Sequence, residues 1–311
     1  MHLIGLREMG REEMIGLLDA AEEYLDESGA VHTPPSRRQA LAGKTLGLLF
    51  MEPSTRTRVS FELAARRLGG DTVLVTADGS SVEKGESAAD TCRTLGAMGV
   101  DGFVVRHHDR QLPHVLGDRL NKPIINAGNG SGEHPTQGLL DALTLRRHFG
   151  LKSDLSGLKI AIMGDIVHSR VARSDAHAFS TLGAEVLLAG PRRLLPSNHN
   201  QGNWPASMTN SRKEALRWAD AVIVLRIQQE RIHGNVIEPH SYAMDWGIDT
   251  SVVERYMRPE TVVMHPGPVI RGVELSDPVV SSERSLILKQ VTNGVALRQA
   301  VLVSRFGEES Q

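Results

Sequence analysis

Short apolar runs, each closed by polar or glycine-containing residues and followed by a longer stretch of helical period, recur along the chain and set the main constraint on its fold. The first are "KTLGLLFM", "DTVLVTA", "DGFVVR" and "KPIINAG". Runs of this kind read as strands buried between helices, and regular alternation of strand with helix is the mark of a parallel sheet. "HPTQGLLDALTLRRHFG" supplies a helix, with Pro135 in its first turn, Leu139, Leu140 and Leu143 on one face and Gly150 as its stop. After "LKSDLSG" the alternation begins again with "LKIAIMGD", "AEVLLAG", "DAVIVLR" and "ETVVMHPG", separated by helical stretches such as "SRVARSDAHAFSTLG". The expected fold is α/β with two domains, each a mainly parallel sheet flanked by helices: residues 1–148 completed by 292–311, and residues 149–291. "TNGVALRQAVLVSRFG" carries Val295, Leu297, Val301 and Leu302 at roughly helical spacing, which suits a last helix packing back on the first domain. The polar, proline-bearing "LPSNHNQGNWPASMTNS" reads as an irregular excursion.

Composition excludes several classes of partner. Lys and Arg number 35 against 37 acidic residues, so a net charge of -2 offers no general attraction to nucleic acid or to an anionic membrane. Any basic site has to be local. The single cysteine, Cys92, leaves no internal disulfide or multi-cysteine metal site and suits a reducing compartment. No apolar run approaches about 18 residues, and the N-terminal stretch carries acids throughout, unlike a secretory signal. The expected location is the cytoplasm.

Ser54, Thr55, Arg56, Thr57 and Arg58 occupy five consecutive places at a strand-to-helix turn. A helix N-terminus offers unpaired N–H donors and the positive end of the peptide dipoles, hydroxyls add short donors, and an arginine adds a planar fork for two phosphate oxygens. The turn therefore suits a phosphate. The alternative is a plain N-cap, with Ser54 or Thr55 closing the helix while Arg56 and Arg58 are solvated or pair with Glu62. That explains one hydroxyl and one arginine of the cluster. The P-loop pattern of nucleotide hydrolases is missing, so a compact anion fits better than a nucleoside triphosphate. "NAGNGSGEHP" is similar to a dinucleotide loop through Gly128 and Gly130, but Glu133 stands at the third glycine position, which argues against nicotinamide binding.

Ligands of open α/β sheets collect beyond the carboxyl ends of the strands. At those ends stand Arg106, His134 with Gln137 one turn on, Arg170, Arg226 with Gln228, and "MHPGPVIRG". Each alone has an ordinary structural explanation. The repeated arginines suit one substrate or pair of substrates bearing phosphate and carboxylate groups. His107, His108 and Asp109 invite a metal reading, but adjacent side chains on an extended chain point apart and no other group has ligand spacing, so a solvated turn is expected. "DGSSVEKGES", with Lys84, reads by spacing as a surface loop.

Taken in order, "STRTR", "SSVEKGES", "VVRH", "HPTQ", "GDIVHSRVARS", "LRIQQER" and "HPGPVIRGVE" resemble the aspartate carbamoyltransferases over about residues 3 to 306. The cysteine-bearing "HPCQ" and "HCLP" motifs typical of the ornithine branch are missing. The resemblance implies a first domain that binds carbamoyl phosphate, a second that binds L-aspartate, and transfer of the carbamoyl group to the aspartate amine at the start of pyrimidine synthesis. A carbamoyltransferase for another amine such as ornithine is the alternative. It implies that Ser54, Thr55, Arg56 and Thr57 hold the phosphate, that Arg106, His134 and Thr57 contact the carbamoyl oxygen, and that Gln137 and the backbone at Gly267 and Pro268 receive the carbamoyl nitrogen. Arg170, Arg226 and Gln228 are then the carboxylate ligands, joined by Lys84 in binding aspartate, with Arg271 a further candidate. Ser80 and Lys84 are expected to arrive from a neighbouring subunit of a homotrimer, which can stand alone or join regulatory or dihydroorotase-like chains. No cofactor and no metal are implied.

Overall fold

The computed structural model describes residues 2–77, 86–197, 204–228 and 238–307. Two compact units emerge, Met1–Leu143 with Val291–Gln311, and Thr144–Gln290. The first contains α1 (Arg11–Glu22), β1 (Thr45–Phe50), α2 (Thr55–Arg67), β2 (Asp71–Thr76), α3 (Ala88–Ala97), β3 (Gly102–His107), α4 (Leu112–Arg119) and β4 (Ile124–Asn129). The chain leaves it within α5 (Pro135–His148). In the second unit follow β5 (Lys159–Met163), α6 (Arg170–Thr181), β6 (Glu185–Ala189), β7 (Ser207–Thr209), α7 (Arg212–Trp218), β8 (Ala221–Val224), α8 (Pro239–Trp246), α9 (Thr250–Tyr256), β9 (Val262–Met264) and α10 (Asp277–Val280). It returns to the first unit within α11 (Ile287–Phe306).

Both sheets are parallel, as strand-helix alternation requires, with orders β2-β1-β3-β4 and β7-β6-β5-β8-β9. The central strands are apolar because helices cover both faces: Leu46, Leu48 and Leu49 of β1 and Ile160, Ala161 and Ile162 of β5 are buried. β2 looks equally apolar in sequence, yet it is the sheet's edge and leaves Val73 and Leu74 39% and 43% exposed. One expectation is corrected. Within the stretch expected to be irregular, Ser207, Met208 and Thr209 form β7 and pair in parallel with Leu187, Leu188 and Ala189. Three residues are too few to display a period, so only the pairing reveals the strand.

The last helix packs back on the first unit as expected. Gln299 of α11 accepts a hydrogen bond from Thr33 Oγ1 at 2.5 Å and donates to His32 O at 3.3 Å. Phe306 lies so close to Gly102, the first residue of β3, that a side chain there would collide with its ring. No helix among the described residues is long and apolar enough to cross a membrane.

Each sheet has one place where successive connections depart in opposite directions, and a crevice opens there at the strand ends. In the first it lies between β1 and β3, in the second between β5 and β8. Gly164, just past β5, has φ +125°, and an added Cβ would sit 2.7 Å from Leu225 O beyond β8. This glycine lets the two turns approach. Gly164→Ala is expected to cost about 1–3 kcal/mol through strain at a backbone conformation that L residues avoid, read calorimetrically as a lower unfolding temperature with the far-ultraviolet spectrum of the wild type retained.

Candidate active site

The first unit builds its site on the β1–α2 turn. Ser54 precedes α2 in an extended conformation, φ -162° and ψ 99°, and its side chain makes no capping hydrogen bond. This differs from its counterparts elsewhere in the chain. Ser87, Ser211 and Asp249 accept from the N–H groups of Asp90, Glu214 and Val252 at 3.1, 3.2 and 2.8 Å and so close the starts of α3, α7 and α9. The plain N-cap explanation of Ser54 therefore fails. The Glu62 pairing considered for Arg58 fails as well, since that carboxylate takes Arg66 at 2.8 Å. What remains is an open helix start carrying Thr55 and Arg56 on exposed positions, which is a donor set for an anion.

Strand pairing fixes the neighbours of that turn. Phe50, the last residue of β1, is in register with Arg106 of β3, and Met51 N donates to Arg106 O at 2.9 Å. Arg106 thus comes to the mouth of the β1–β3 crevice. Its guanidinium donates to Ala127 O at 3.3 Å and lies 3.7 Å from the Glu52 carboxylate. Thr57, one turn into α2, is buried and places Oγ1 3.4 Å from Nε2 of buried His134. Gln137, at the same end of α5, directs Nε2 to both carboxylate oxygens of Asp141 at 3.1 Å. The segment before His134 is held by the chain's own beginning: Asn126 Nδ2 donates to Ile4 O at 2.8 Å, and the Glu133 carboxylate accepts from Leu6 N at 2.6 Å. Ser54, Thr55, Arg56, Thr57, Arg106, His134 and Gln137 all belong to this unit and line the ends of its central elements.

In the second unit Ser169 caps α6 by accepting from Ala172 N at 3.1 Å, which sets Arg170 as the first helical residue, only 6% exposed. Asp165, fully buried after β5, accepts from His168 Nδ1 at 2.8 Å and from Gln228 N at 3.1 Å. It thereby ties the β5 turn to the segment after β8, where Arg226 and Gln228 are half-buried. Glu274, also buried, accepts from Ile227 N at 3.4 Å and Ile270 N at 2.8 Å. Gly267 has φ +71° and donates its N–H to His265 Nδ1 at 2.8 Å, while Pro268 is exposed beside it. Arg271 turns instead to an exposed ion pair with Asp277.

Ser80 and Lys84 lie outside the described residues. His107 and His108 differ from expectation, for their rings stack with centroids 4.1 Å apart. β3 ends at His107, so strand alternation no longer separates the two side chains. His107 Nδ1 accepts from Asp109 N at 2.9 Å, and the described residues include no group of three or more metal-ligating side chains. Sequence reasoning also passed over four carboxylates, Glu52, Asp141, Asp165 and Glu274, that hold the cationic and amide groups in place. Asp165 and Glu274 stand inside "GDIVHS" and "GVE", where their proximity to arginine-bearing motifs was the available signal.

Both parts of the chain match known protein domains. Residues 1–147 match the carbamoyl-P binding domain, and residues 156–305 the Asp/Orn binding domain, of the aspartate/ornithine carbamoyltransferases. The chain belongs to that family. Within it, the aspartate carbamoyltransferase catalytic subunit of Clavibacter sepedonicus is 46% identical, with 97% of this chain and 96% of the relative covered. That of Solibacter usitatus is 45% identical over 98% and 99%. Among solved structures, aspartate transcarbamoylase from Trypanosoma cruzi in complex with carbamoyl aspartate and phosphate superposes with a TM-score of 0.80 at 30% identity, covering 97% of this chain and 94% of that one. Ornithine carbamoyltransferase from Pyrococcus furiosus gives 0.85 at 28%, covering 99% and 98%.

Burial pushes Glu274 up from an ordinary 4.5 to about 7, against the backbone N–H groups and Arg226, which favour its charged form. A raised carboxyl pKa makes the folded chain bind the proton more tightly, so this group's contribution to stability is present at low pH and lost as pH rises toward 7. Glu274→Gln removes the titration. The gap in unfolding temperature between wild type and variant is expected to shift against the wild type between pH 5 and pH 8, as followed by scanning calorimetry.

Proposed function

We propose that the chain transfers the carbamoyl group of carbamoyl phosphate to the amine of L-aspartate, giving N-carbamoyl-L-aspartate and phosphate in the cytoplasm at the start of pyrimidine synthesis. The observation that carries the reading is the open α2 start, uncapped at Ser54, with Thr57 3.4 Å from His134 beside it. Relatives at 45–46% identity over nearly the whole chain, both aspartate carbamoyltransferase catalytic subunits, support it.

The chemistry follows from the groups present. Ser54, Thr55 and Arg56, with the free N–H groups of α2, hold the phosphate. The uncharged amine of aspartate attacks the carbamoyl carbon, a C–N bond forms, and the carbonyl oxygen gains negative charge that Thr57, Arg106 and His134 stabilise. The C–O bond to phosphate then breaks, and the departing phosphate accepts the proton lost by the amine. Gln137 and the backbone of Gly267 and Pro268 receive the carbamoyl nitrogen. Arg170, Arg226 and Gln228 take the aspartate carboxylates. No protein nucleophile is needed, since the acyl donor is already activated. Donors fixed in advance matter most where charge develops, and losing one costs roughly 2.7–4 kcal/mol of barrier.

The same reading includes a homotrimer with sites completed by Ser80 and Lys84 of a neighbouring subunit. Its support is the edge of the first sheet, where Val73 and Leu74 of β2 and Val59 and Leu63 of α2 are each about two-fifths exposed. An apolar edge strand needs cover, and a second copy of the chain supplies it.

Parallel assays of carbamoyl phosphate with aspartate, ornithine and other amino acids test the acceptor, with turnover expected for aspartate alone. His134→Ala is expected to lower kcat by about 10²–10³-fold while the chain stays folded, and Arg56→Ala to lose affinity for carbamoyl phosphate; normal affinity in the latter would refute its role. Lys84→Ala and Arg56→Ala chains, each inactive alone, should regain activity when dissociated and reassembled together. No recovery would argue against shared sites.

A further inference from the structure

Arg298 of α11 has no part in the reaction as proposed, yet it is a cation only 4% exposed in the interior of the first unit. Its Nη1 donates to Gly294 O at 3.1 Å and its Nη2 to Thr136 Oγ1 at 3.4 Å. The guanidinium carbon lies 5.1 Å from the centroid of the buried Phe61 ring on α2. Gly294 gives it room, for a Cβ there would sit 2.7 Å from Nη1 and 3.1 Å from Leu140 Cδ2. One side chain therefore touches α2, the first turn of α5 and its own helix.

A buried guanidinium is expensive, and a well-packed apolar residue in its place is often as stable or more so. Burial lowers the pKa of Arg298 to about 10, and the charge that opposes this is the carboxylate of Asp141, itself fully buried. Asp141 in turn takes both of its 3.1 Å contacts from Gln137 Nε2. An ionised carboxylate only accepts hydrogen bonds, so the Gln137 amide must present its N–H₂ to Asp141 and its Oε1 the other way. This polarity is the one a carbamoyl group needs, because its nitrogen only donates.

We propose that Arg298 and Asp141 form a positioning pair that fixes the orientation of the Gln137 amide and so makes the site select an acyl phosphate bearing –NH₂ over one bearing –CH₃. Arg298 supplies the opposite charge that favours the ionised form of Asp141 in a buried setting. Without that cation the carboxylate loses the opposite charge that favours its acceptor-only form, and its hold on which end of Gln137 faces the substrate weakens. The inference rests on the proposed function for the identity of the acyl group, and on this chain's geometry for the selection.

Asp141→Asn, Arg298→Met, Arg298→Lys and the Asp141→Asn/Arg298→Met double variant test it in the full-length protein. The measurement is the ratio of kcat/KM for carbamoyl phosphate over acetyl phosphate, with aspartate as acceptor. Asp141→Asn and Arg298→Met are expected to lower that ratio by about tenfold or more, the scale of a lost hydrogen bond in a buried site. Arg298→Lys, which keeps the charge, is expected to recover part of it. A merely structural role would lower both substrates alike, so a ratio unchanged in folded variants overturns the proposal. The double variant leaves no isolated buried charge and serves where a single variant fails to fold. Calorimetric binding of phosphonoacetamide against acetonylphosphonate, where methyl replaces the amide nitrogen, reads the same selection without turnover. A wild type that binds the amide selectively but forms no carbamoyl aspartate sinks the proposed function alone; a wild type with no preference between the analogues sinks this inference.

Discussion

The open N-terminus of α2 is the constraint around which the first unit is arranged. Four N–H groups at a helix start have no partner within the helix, and protein chains ordinarily close them with a side chain. Ser87, Ser169, Ser211 and Asp249 do this for their helices. Ser54 does not. Leaving those donors without a side-chain cap costs stability, and what it secures is a positive, donor-rich surface suited to an anion. The position of the opening is not accidental either. It lies at the one place in the β2-β1-β3-β4 sheet where connections diverge, so Arg106 reaches it by strand register alone.

Cations gathered at strand ends need something to keep them apart and in place, and the chain uses carboxylates. Glu52 lies 3.7 Å from Arg106, and Asp165 braces the segment that carries Arg226 and Gln228 through the N–H of Gln228. Asp165 and Glu274 are buried and act mainly on backbone N–H groups. They therefore shape the loops on which the arginines stand. A net charge of -2 is thus compatible with local positive sites.

The fold was legible because its main signal is repeated. Successive apolar runs each named a strand: β1, β2, β5, β6, β8 and β9 fall inside the runs read from the sequence, and β3 and β4 overrun theirs by one residue each. What escaped was set by tertiary context. β7 is three residues long and exists only because β6 has an unpaired side; the exposure of β2 follows from its place at the sheet edge, which its composition conceals. At the site, residue types and order brought Arg56, Thr57, Arg106 and His134 forward as candidates. The contact of Thr57 with His134 joins residues 77 positions apart and needed the fold. The supporting carboxylates escaped because an acid in a motif looks like any solvated acid until its burial is known. Arg298 lay in a segment read only for its helical period, where an arginine at an interior position is the exception to the pattern.

Discrimination between acceptors must come from the second unit. The first serves an acyl donor common to the whole family, and overall shape does not separate the branches, since an ornithine carbamoyltransferase superposes at 0.85 and an aspartate transcarbamoylase at 0.80. On the reading proposed above, charge separates them. Arg170 stands almost wholly buried at the start of α6, and Arg226 stands at the end of the neighbouring strand β8, with Asp165 and Glu274 occupied by backbone donors. With Arg170 and Arg226 as the proposed carboxylate ligands, an aspartate side chain would bring a carboxylate to these guanidinium groups. An ornithine side chain brings an ammonium, and two like charges a few ångströms apart in a partly desolvated pocket repel by several kcal/mol at an effective dielectric constant of about 20. On that reading the preference for a dicarboxylic amine needs no dedicated recognition of its length. It follows from placing arginines where the other substrate would have to carry its own cation.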